Sequence, residues 1–388
     1  MPVVLDRVEV DIALPGGDRW RRRPVPGDAP SIVVHDRRAL TRQLAAHPKI
    51  GIGESYTDGV WDAADGTDLA DVLVPFATTL STAFPPYLLK LRRLVDRPLP
   101  HWQRNSKEGS RRNIEAHYDL SNELFALFLD DSMTYSAAMF EPGEARDDKT
   151  LRCAQRRKID AALDRARVGA GSRVLEIGTG WGALAIAAAK RGASVTSITL
   201  SKEQAALARQ RANDAGVGDR IDIRVEDYRD TTGSYDSVVS IEMLEAVGEE
   251  YWETYFATID ERLAPNGTAV VQTILMDDGR LMATRSSYGW IQKHIFPGGL
   301  IPSIEAIERV TNASTTLSAT EISTFGPSYA DTLALWRHRF DARIDDVRAL
   351  GFDDRFIRTW RFYLAYSEAG FRSHYLDVAQ IRFERLAR

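Results

Sequence analysis

Cysteine is nearly missing from this chain: Cys153 stands alone among 388 residues. That excludes an internal disulfide and any thiolate cluster for a metal. Cys153 lies in the charged stretch LRCAQRRKIDAAL and reads as structural. Histidine is also sparse, with 7 residues. Neither His294 nor His338 has a partner at metal-ligand spacing, so no metal site is expected. No apolar run approaches the roughly 20 residues that a bilayer span needs. The opening MPVVLDRVEVDIALPGG lacks the basic-then-apolar order of a secretory signal, so a cytoplasmic location is expected. The chain also lacks a large charge of either sign, its net charge being −5.

The basic residues are nevertheless clumped. Lys90, Arg92, Arg93, Arg97, Arg104, Lys107, Arg111 and Arg112 are opposed only by Asp96 and Glu108. Arg19, Arg21, Arg22 and Arg23 surround Trp20. Such patches serve anionic partners or are simply solvated faces. The first patch follows the apolar residues 69–95, which favours a phospholipid surface over nucleic acid.

What the chain does have is one βαβ unit between Arg173 and Gln204. The apolar run Val174–Ile177 predicts a strand, Ala183–Lys190 a small-residue helix, and Ser194–Thr199 a second strand. Between the first strand and the helix stand Gly178, Gly180 and Gly182. Glycines let the turn tighten and let a ligand lie against the backbone, and the helix N-terminus offers free N–H groups. The spacing is E-x-G-x-G-x-G from Glu176, not the G-x-G-x-x-G of dinucleotide sites. Many dinucleotide sites carry an acid after the second strand to hold ribose. Here that place reads Thr199-Leu200-Ser201. Glu226 and Asp227 follow a third strand-like run, Ile221–Val225, where they can meet an adenine amino group. This series resembles the motifs of Rossmann-like S-adenosylmethionine (SAM) methyltransferases.

Further along, strands are expected over Tyr235–Ile241, Thr268–Leu275, Ser318–Ser323 and Asp377–Phe383. Helices are expected over Glu249–Leu263, from about Tyr329 to Leu350, and over Asp354–Ala369. Residues 276–312 form an insertion. Upstream, residues 1 to about 50 read as strands and turns, and helices are expected near Arg38–Ala46 and from near Asp68. Residues 98–112 read as a polar linker.

Residues 113–136, with HYDLSNELFALFLDDSMTYS at their end, are similar to the signature of the cyclopropane-fatty-acyl-phospholipid synthase family. GESYTDGVWD, VLEIGTGWG, TLSKEQ, IEMLEAVG, IFPGGLIPS and FGPSYADTLALWRHRF match it in order, so the resemblance covers nearly the whole chain. It implies an α/β fold, a Rossmann-like seven-stranded methyltransferase sheet whose last strand is antiparallel. It also implies two domains: a mostly helical, membrane-contacting one over residues 1–105 and the methyltransferase over 106–388. SAM is the implied cofactor. Tyr118, Tyr135 and Ser136 would hold its methionine end, with Glu176, Gly178, Gly180 and Gly182 beneath. Thr199, Leu200 and Gln204 would serve the ribose side, and Glu226 and Asp227 the adenine side. His117 would orient the lid.

The implied reaction is methyl transfer to a cis double bond of an unsaturated acyl phospholipid, followed by proton loss. In the family a bicarbonate ion is the implied base. Its cage would be Ala137, Glu245, Gln272, Ile274 and Tyr329. Ala137 stands where the family usually has Cys, Gln272 where it usually has His, and Ser367 where a later Cys is usual. With thiol and imidazole gone, Glu245 becomes an alternative base if burial raises its pKa. The pattern resembles the branch that methylenates oleoyl phospholipid on the way to tuberculostearate, with a separate reductase as partner; ring closure to a cyclopropane is the alternative. A methyltransferase with another substrate and a lipid-binding protein with an inactive fold are the competing readings. An oligomer is compatible with all of them.

Overall fold

The computed structural model describes residues 8–20, 29–82, 106, 107, 109 and 121–385. Tyr118, His117 and most of the Lys90–Arg112 patch lie outside the described residues.

The amino-terminal part pairs β1 (Asp11–Ala13), β2 (Arg19–Trp20), β3 (Ser31–Val34) and β4 (Trp61–Ala63) in a four-stranded sheet of order β2-β1-β3-β4. Helices α1 (Arg37–Ala46), α2 (Pro48–Thr57) and α3 (Leu69–Thr82) complete it. Asp36 starts α1 by accepting a hydrogen bond from the Ala39 N–H at 2.9 Å. The strands and turns expected before the first helix are β1, β2 and β3, whereas β4, at three residues, carries almost no periodic signal.

The GESYTDGVWD motif proves to be a docking device. Trp61 is buried and donates from its indole N–H to Ser55 Oγ at 3.0 Å. Gly53 lies against the Trp290 ring, where a Cβ would come within 2.5 Å. Glu54 pairs with Lys293 and lies 3.1 Å from His294 Nε2. The motif therefore clamps the amino-terminal part onto the insertion.

The catalytic part continues with α4 (Asn122–Phe128) and α5 (Asp148–Arg165). The βαβ unit follows as β5 (Arg173–Ile177), α6 (Ala183–Lys190) and β6 (Ser194–Thr199), then α7 (Lys202–Asp214) and β7 (Ile221–Val225). Next come β8 (Tyr235–Ile241), α8 (Leu244–Val247), α9 (Trp252–Arg262) and β9 (Leu263–Met276). The insertion holds α10 (Asp278–Thr284), α11 (Trp290–His294) and α12 (Ile304–Ser314). The chain closes with β10 (Leu317–Thr324), α13 (Gly326–Ala342), α14 (Ile344–Ala349), α15 (Asp354–Arg372) and β11 (Leu376–Arg385).

The seven strands run in the order β10-β11-β9-β8-β5-β6-β7. All neighbours are parallel except β11, which lies antiparallel between β9 and β10. This is the Rossmann-like methyltransferase sheet. β5 lies between β8 and β6, so the glycine turn opens where successive crossovers diverge to opposite sides, the place where such sheets bind ligands.

One expected helix is two. The run from Tyr329 to Leu350 breaks at Arg343, whose φ/ψ of −118°/23° is not helical. Its N–H closes on the Phe340 carbonyl at 3.1 Å. The first of the pair also starts earlier than expected, because Asp377 Oδ1 accepts from the Gly326 N–H at 2.8 Å.

Within the core, Arg337 of α13 is buried and bridges Glu368 of α15 at 3.0 Å and Asp68, just before α3, at 2.9 Å. A buried ion pair stripped of one partner leaves an uncompensated charge. Arg337→Met should therefore cost about 3–5 kcal/mol of unfolding free energy in urea titrations. Arg337→Met/Glu368→Leu should recover most of that. A single variant within 1 kcal/mol of wild type, on the ~1.4 kcal/mol-per-decade scale, would contradict this account.

Candidate active site

The glycine turn shapes one end of a cavity. Gly178 has φ of 99°, and a Cβ there would stand 2.7 Å from the Met243 Sδ. Both the conformation and the contact require glycine. The Gly178 and Thr179 N–H groups donate to the Ile198 carbonyl at 3.0 Å, which ties the turn to β6. Trp181 donates to Asn122 Oδ1 at 2.7 Å and so holds α4 beside it.

The lining of this cavity includes Tyr135, Ser136, Glu176, Gly178, Gly180, Thr199, Leu200, Gln204 and Glu226. These sequence-expected cofactor residues are thus brought together. Thr199 donates to Gln204 Oε1 at 2.9 Å, which fixes the amide and leaves its NH₂ as the donor end. Gly182 caps α6 in a left-handed conformation, φ 88°. Glu176 is buried against the Ser197 hydroxyl, and burial pushes its carboxyl up to about 8. Asp227 has a different task. Its carboxylate takes hydrogen bonds from Arg229 Nε at 2.8 Å and Nη2 at 2.6 Å. Arg229 in turn lies over the Tyr228 and Tyr251 rings. Asp227 is thus engaged by Arg229, and Glu226 lines the cavity.

Beside the turn lies a wall of aromatic rings. Phe125 packs on Tyr135, Trp181 and Trp360 with centroids 5.0–6.0 Å apart. The Tyr135 and Tyr363 hydroxyls meet at 2.7 Å. Such a wall keeps water out and offers π faces to a cation.

The second group of expected residues converges on a side chain that the sequence reading missed. Glu242 follows β8 with φ of 52°, a costly conformation for a residue with a Cβ. That twist swings its carboxylate into the cavity lining. Glu242 Oε1 accepts from the Ala137 N–H at 2.9 Å and from Gln272 Nε2 at 2.8 Å. Its Oε2 accepts from the Tyr329 hydroxyl at 2.7 Å. The Gln272 amide is oriented by Gln380, whose Nε2 donates to Gln272 Oε1 at 3.1 Å. The hydrogen bonds implied for a bicarbonate are therefore made to a carboxylate of the chain itself, so bicarbonate does not fit this cage as built. The one available clue was the second acid, three residues before Glu245 in IEMLEAVG.

Glu245 sits next to this group but is held separately. Its Oε1 accepts from the Ile274 N–H and from Thr273 Oγ1, the latter at 2.9 Å. Its Oε2 is buried with no hydrogen-bond partner. Burial, then the nearby Glu242 charge, pushes its carboxyl up to about 8. Burial raises the Glu242 carboxyl too, but its three donors pull the other way, whereas Glu245 has donors on one oxygen only.

Other expectations are met differently. Cys153 is exposed on α5 rather than packed, because it falls on that helix's outer face. Lys158, from the same helix, is buried, lines the cavity and donates to Ser136 Oγ at 2.7 Å. It too was not anticipated. Among the described residues, no cluster able to hold a metal occurs, and no helix is long and apolar enough to cross a membrane.

A family model described as mycolic acid cyclopropane synthetase matches residues 105–381. The chain belongs to the mycolic acid cyclopropane synthetase family. It is 50% identical over 357 residues to the tuberculostearic acid methyltransferase UfaA1 of Mycobacterium tuberculosis, covering 91% of this chain and 82% of that one. It is 31% identical over 362 residues to the cyclopropane-fatty-acyl-phospholipid synthase of Escherichia coli K12, covering 93% and 90%. Among solved structures, mycolic acid cyclopropane synthase CmaA1 complexed with SAH and CTAB superposes with a TM-score of 0.64 at 30% identity. That match covers 74% of this chain and 99% of CmaA1.

The Glu245 proton has a sign that can be checked. Its folded pKa of about 8 lies above the ordinary 4.5, so the folded state binds the extra proton. Stability should then fall as pH rises between those two values and level off above them. Glu245→Gln should flatten that fall in urea unfolding curves taken from acid to mildly alkaline pH. Parallel curves for the two proteins would refute the assignment.

Proposed function

We propose that this protein is a SAM-dependent C-methyltransferase acting on the cis double bond of unsaturated fatty acyl chains in phospholipids. The product is a 10-methylene fatty acyl lipid. One observation carries the reading: the Glu242 carboxylate stands where Ala137, Gln272 and Tyr329 converge, at the rim of the glycine-turn cavity. The relatives' activities support the reaction class, and the one 50% identical is a tuberculostearic acid methyltransferase.

When bound, the cofactor supplies an electrophilic methyl carbon. The chain's residues do the rest. Gly178 and Gly180 leave room for the cofactor to lie against the backbone, and Gln204 offers its NH₂ to the ribose. The aromatic wall around Tyr135 excludes water from the alkene, a poor nucleophile that needs orientation more than activation. The alkene π pair forms the new C–CH₃ bond and leaves a cation on the adjacent chain carbon. A hydride shift moves that cation to the methyl-bearing carbon. Glu242 then takes a proton from the new methyl, and the C–H pair becomes the exocyclic double bond. Burial raises this carboxyl while three hydrogen bonds hold it in place, which suits it to accept the proton. Glu245 stays protonated beside it and limits the negative charge in the pocket.

The methylene carries no electrons for its own saturation, so a separate reductase would follow. The substrate's chemistry places the enzyme at a phospholipid surface, as a peripheral rather than a spanning protein. The amino-terminal residues 1–105 are the proposed membrane-contacting domain and 106–388 the methyltransferase.

Incubation with SAM and oleoyl phospholipid vesicles, with products read by mass spectrometry and NMR, tests this. Vinylidene protons are expected, and cyclopropane protons would overturn the product. Glu242→Gly suits the local backbone, removes the base and leaves an anion-sized space. It should fold and lose at least roughly 100-fold in rate. Added bicarbonate should restore part of that rate. A variant with wild-type rate would remove Glu242 from the mechanism.

A further inference from the structure

Lys158 is a buried ammonium that the mechanism above leaves without a task. It is 1% exposed and donates one hydrogen bond, to Ser136 Oγ at 2.7 Å. Among the described residues, no carboxylate lies within ion-pair distance of it. Glu242, Asp130 and Glu176 act on it only at longer range, while burial pulls its pKa down to about 8. A buried charge without a close counter-ion is costly unless a ligand supplies one. Lys158 lines the same cavity as Ser136, Glu176, Gly178 and Gly180.

The methionine end of the proposed cofactor carries an ammonium and a carboxylate on one carbon. A site for it needs a cation for the carboxylate, and Lys158 is the cationic side chain among the residues that line this cavity. We infer that Lys158 receives the carboxylate of the cofactor's methionine moiety, with Ser136 holding its ammonium in place. Lys158 is then a cofactor-binding residue that selects for an intact amino-acid end. This rests on the SAM reading, and the test below separates the two.

Calorimetry would compare S-adenosylhomocysteine with its decarboxylated form, which keeps the adenosine, the thioether and the amine. Wild type should prefer the intact ligand by roughly 10- to 100-fold, the range of a charge-assisted hydrogen bond. Lys158→Met should weaken the intact ligand by about that factor and leave the decarboxylated one within about threefold, so the preference disappears. Lys158→Arg should keep part of it. A variant that weakens both ligands equally, or keeps the wild-type preference, overturns the assignment. If Lys158→Met does not fold, the wild-type comparison still decides: equal binding of both ligands sinks Lys158's role. Failure of wild type to bind the intact ligand at all would sink the SAM reading instead.

Discussion

A single carboxylate holds this site together. Glu242 accepts hydrogen bonds from three separate parts of the chain: the segment after Tyr135, strand β9 and helix α13. None of these is a sequence neighbour of the others. Their meeting requires the segment after Tyr135, the sheet and helix α13 to be in place together. Removing the carboxylate would leave an amide, a peptide N–H and a phenol unpaired in a dry pocket, which is expensive. The site is thus as much a structural knot as a chemical one.

The pair Glu242 and Glu245 shows how environment divides two identical groups. Both are shielded from bulk water, and both carboxyls are raised by that burial. The difference lies in the number of donors. Glu242 is surrounded on both oxygens, whereas Glu245 has donors on one oxygen and a buried, unpartnered second. Donors thus oppose the effect of burial on both oxygens of Glu242 but on only one of Glu245. Backbone strain at Glu242, with its positive φ, is what brings the accepting group to the cavity.

Much of this was legible in the chain. The expected bounds of α6, β6, β7 and β8 coincide with the observed ones, because each is a local apolar run between clear turn signals. The positions around Glu242 were legible too: Ala137, Gln272 and Tyr329 do meet there. What they meet around was not, since no spacing rule reveals a left-handed residue that turns its side chain through the wall. Gln380 and the break at Arg343 were hidden for a similar reason. One depends on a partner more than a hundred residues away and the other on a local dihedral, and neither leaves a periodic trace.

Strand β11 occupies the slot between β9 and β10 and pairs with both. Both neighbours are synthesised before it. A growing chain must therefore carry a sheet with an open groove, two facing strand edges unpaired, until the final segment arrives. Gln380, in that last strand, lies directly opposite Gln272. The amide that orients the base is thus set only when the groove is filled. Long-range pairing of this kind is slow, and exposed edges invite wrong partners meanwhile. The amide that holds Glu242 is thus oriented by the last strand of the sheet, and a chain cut short of β11 would lack that contact.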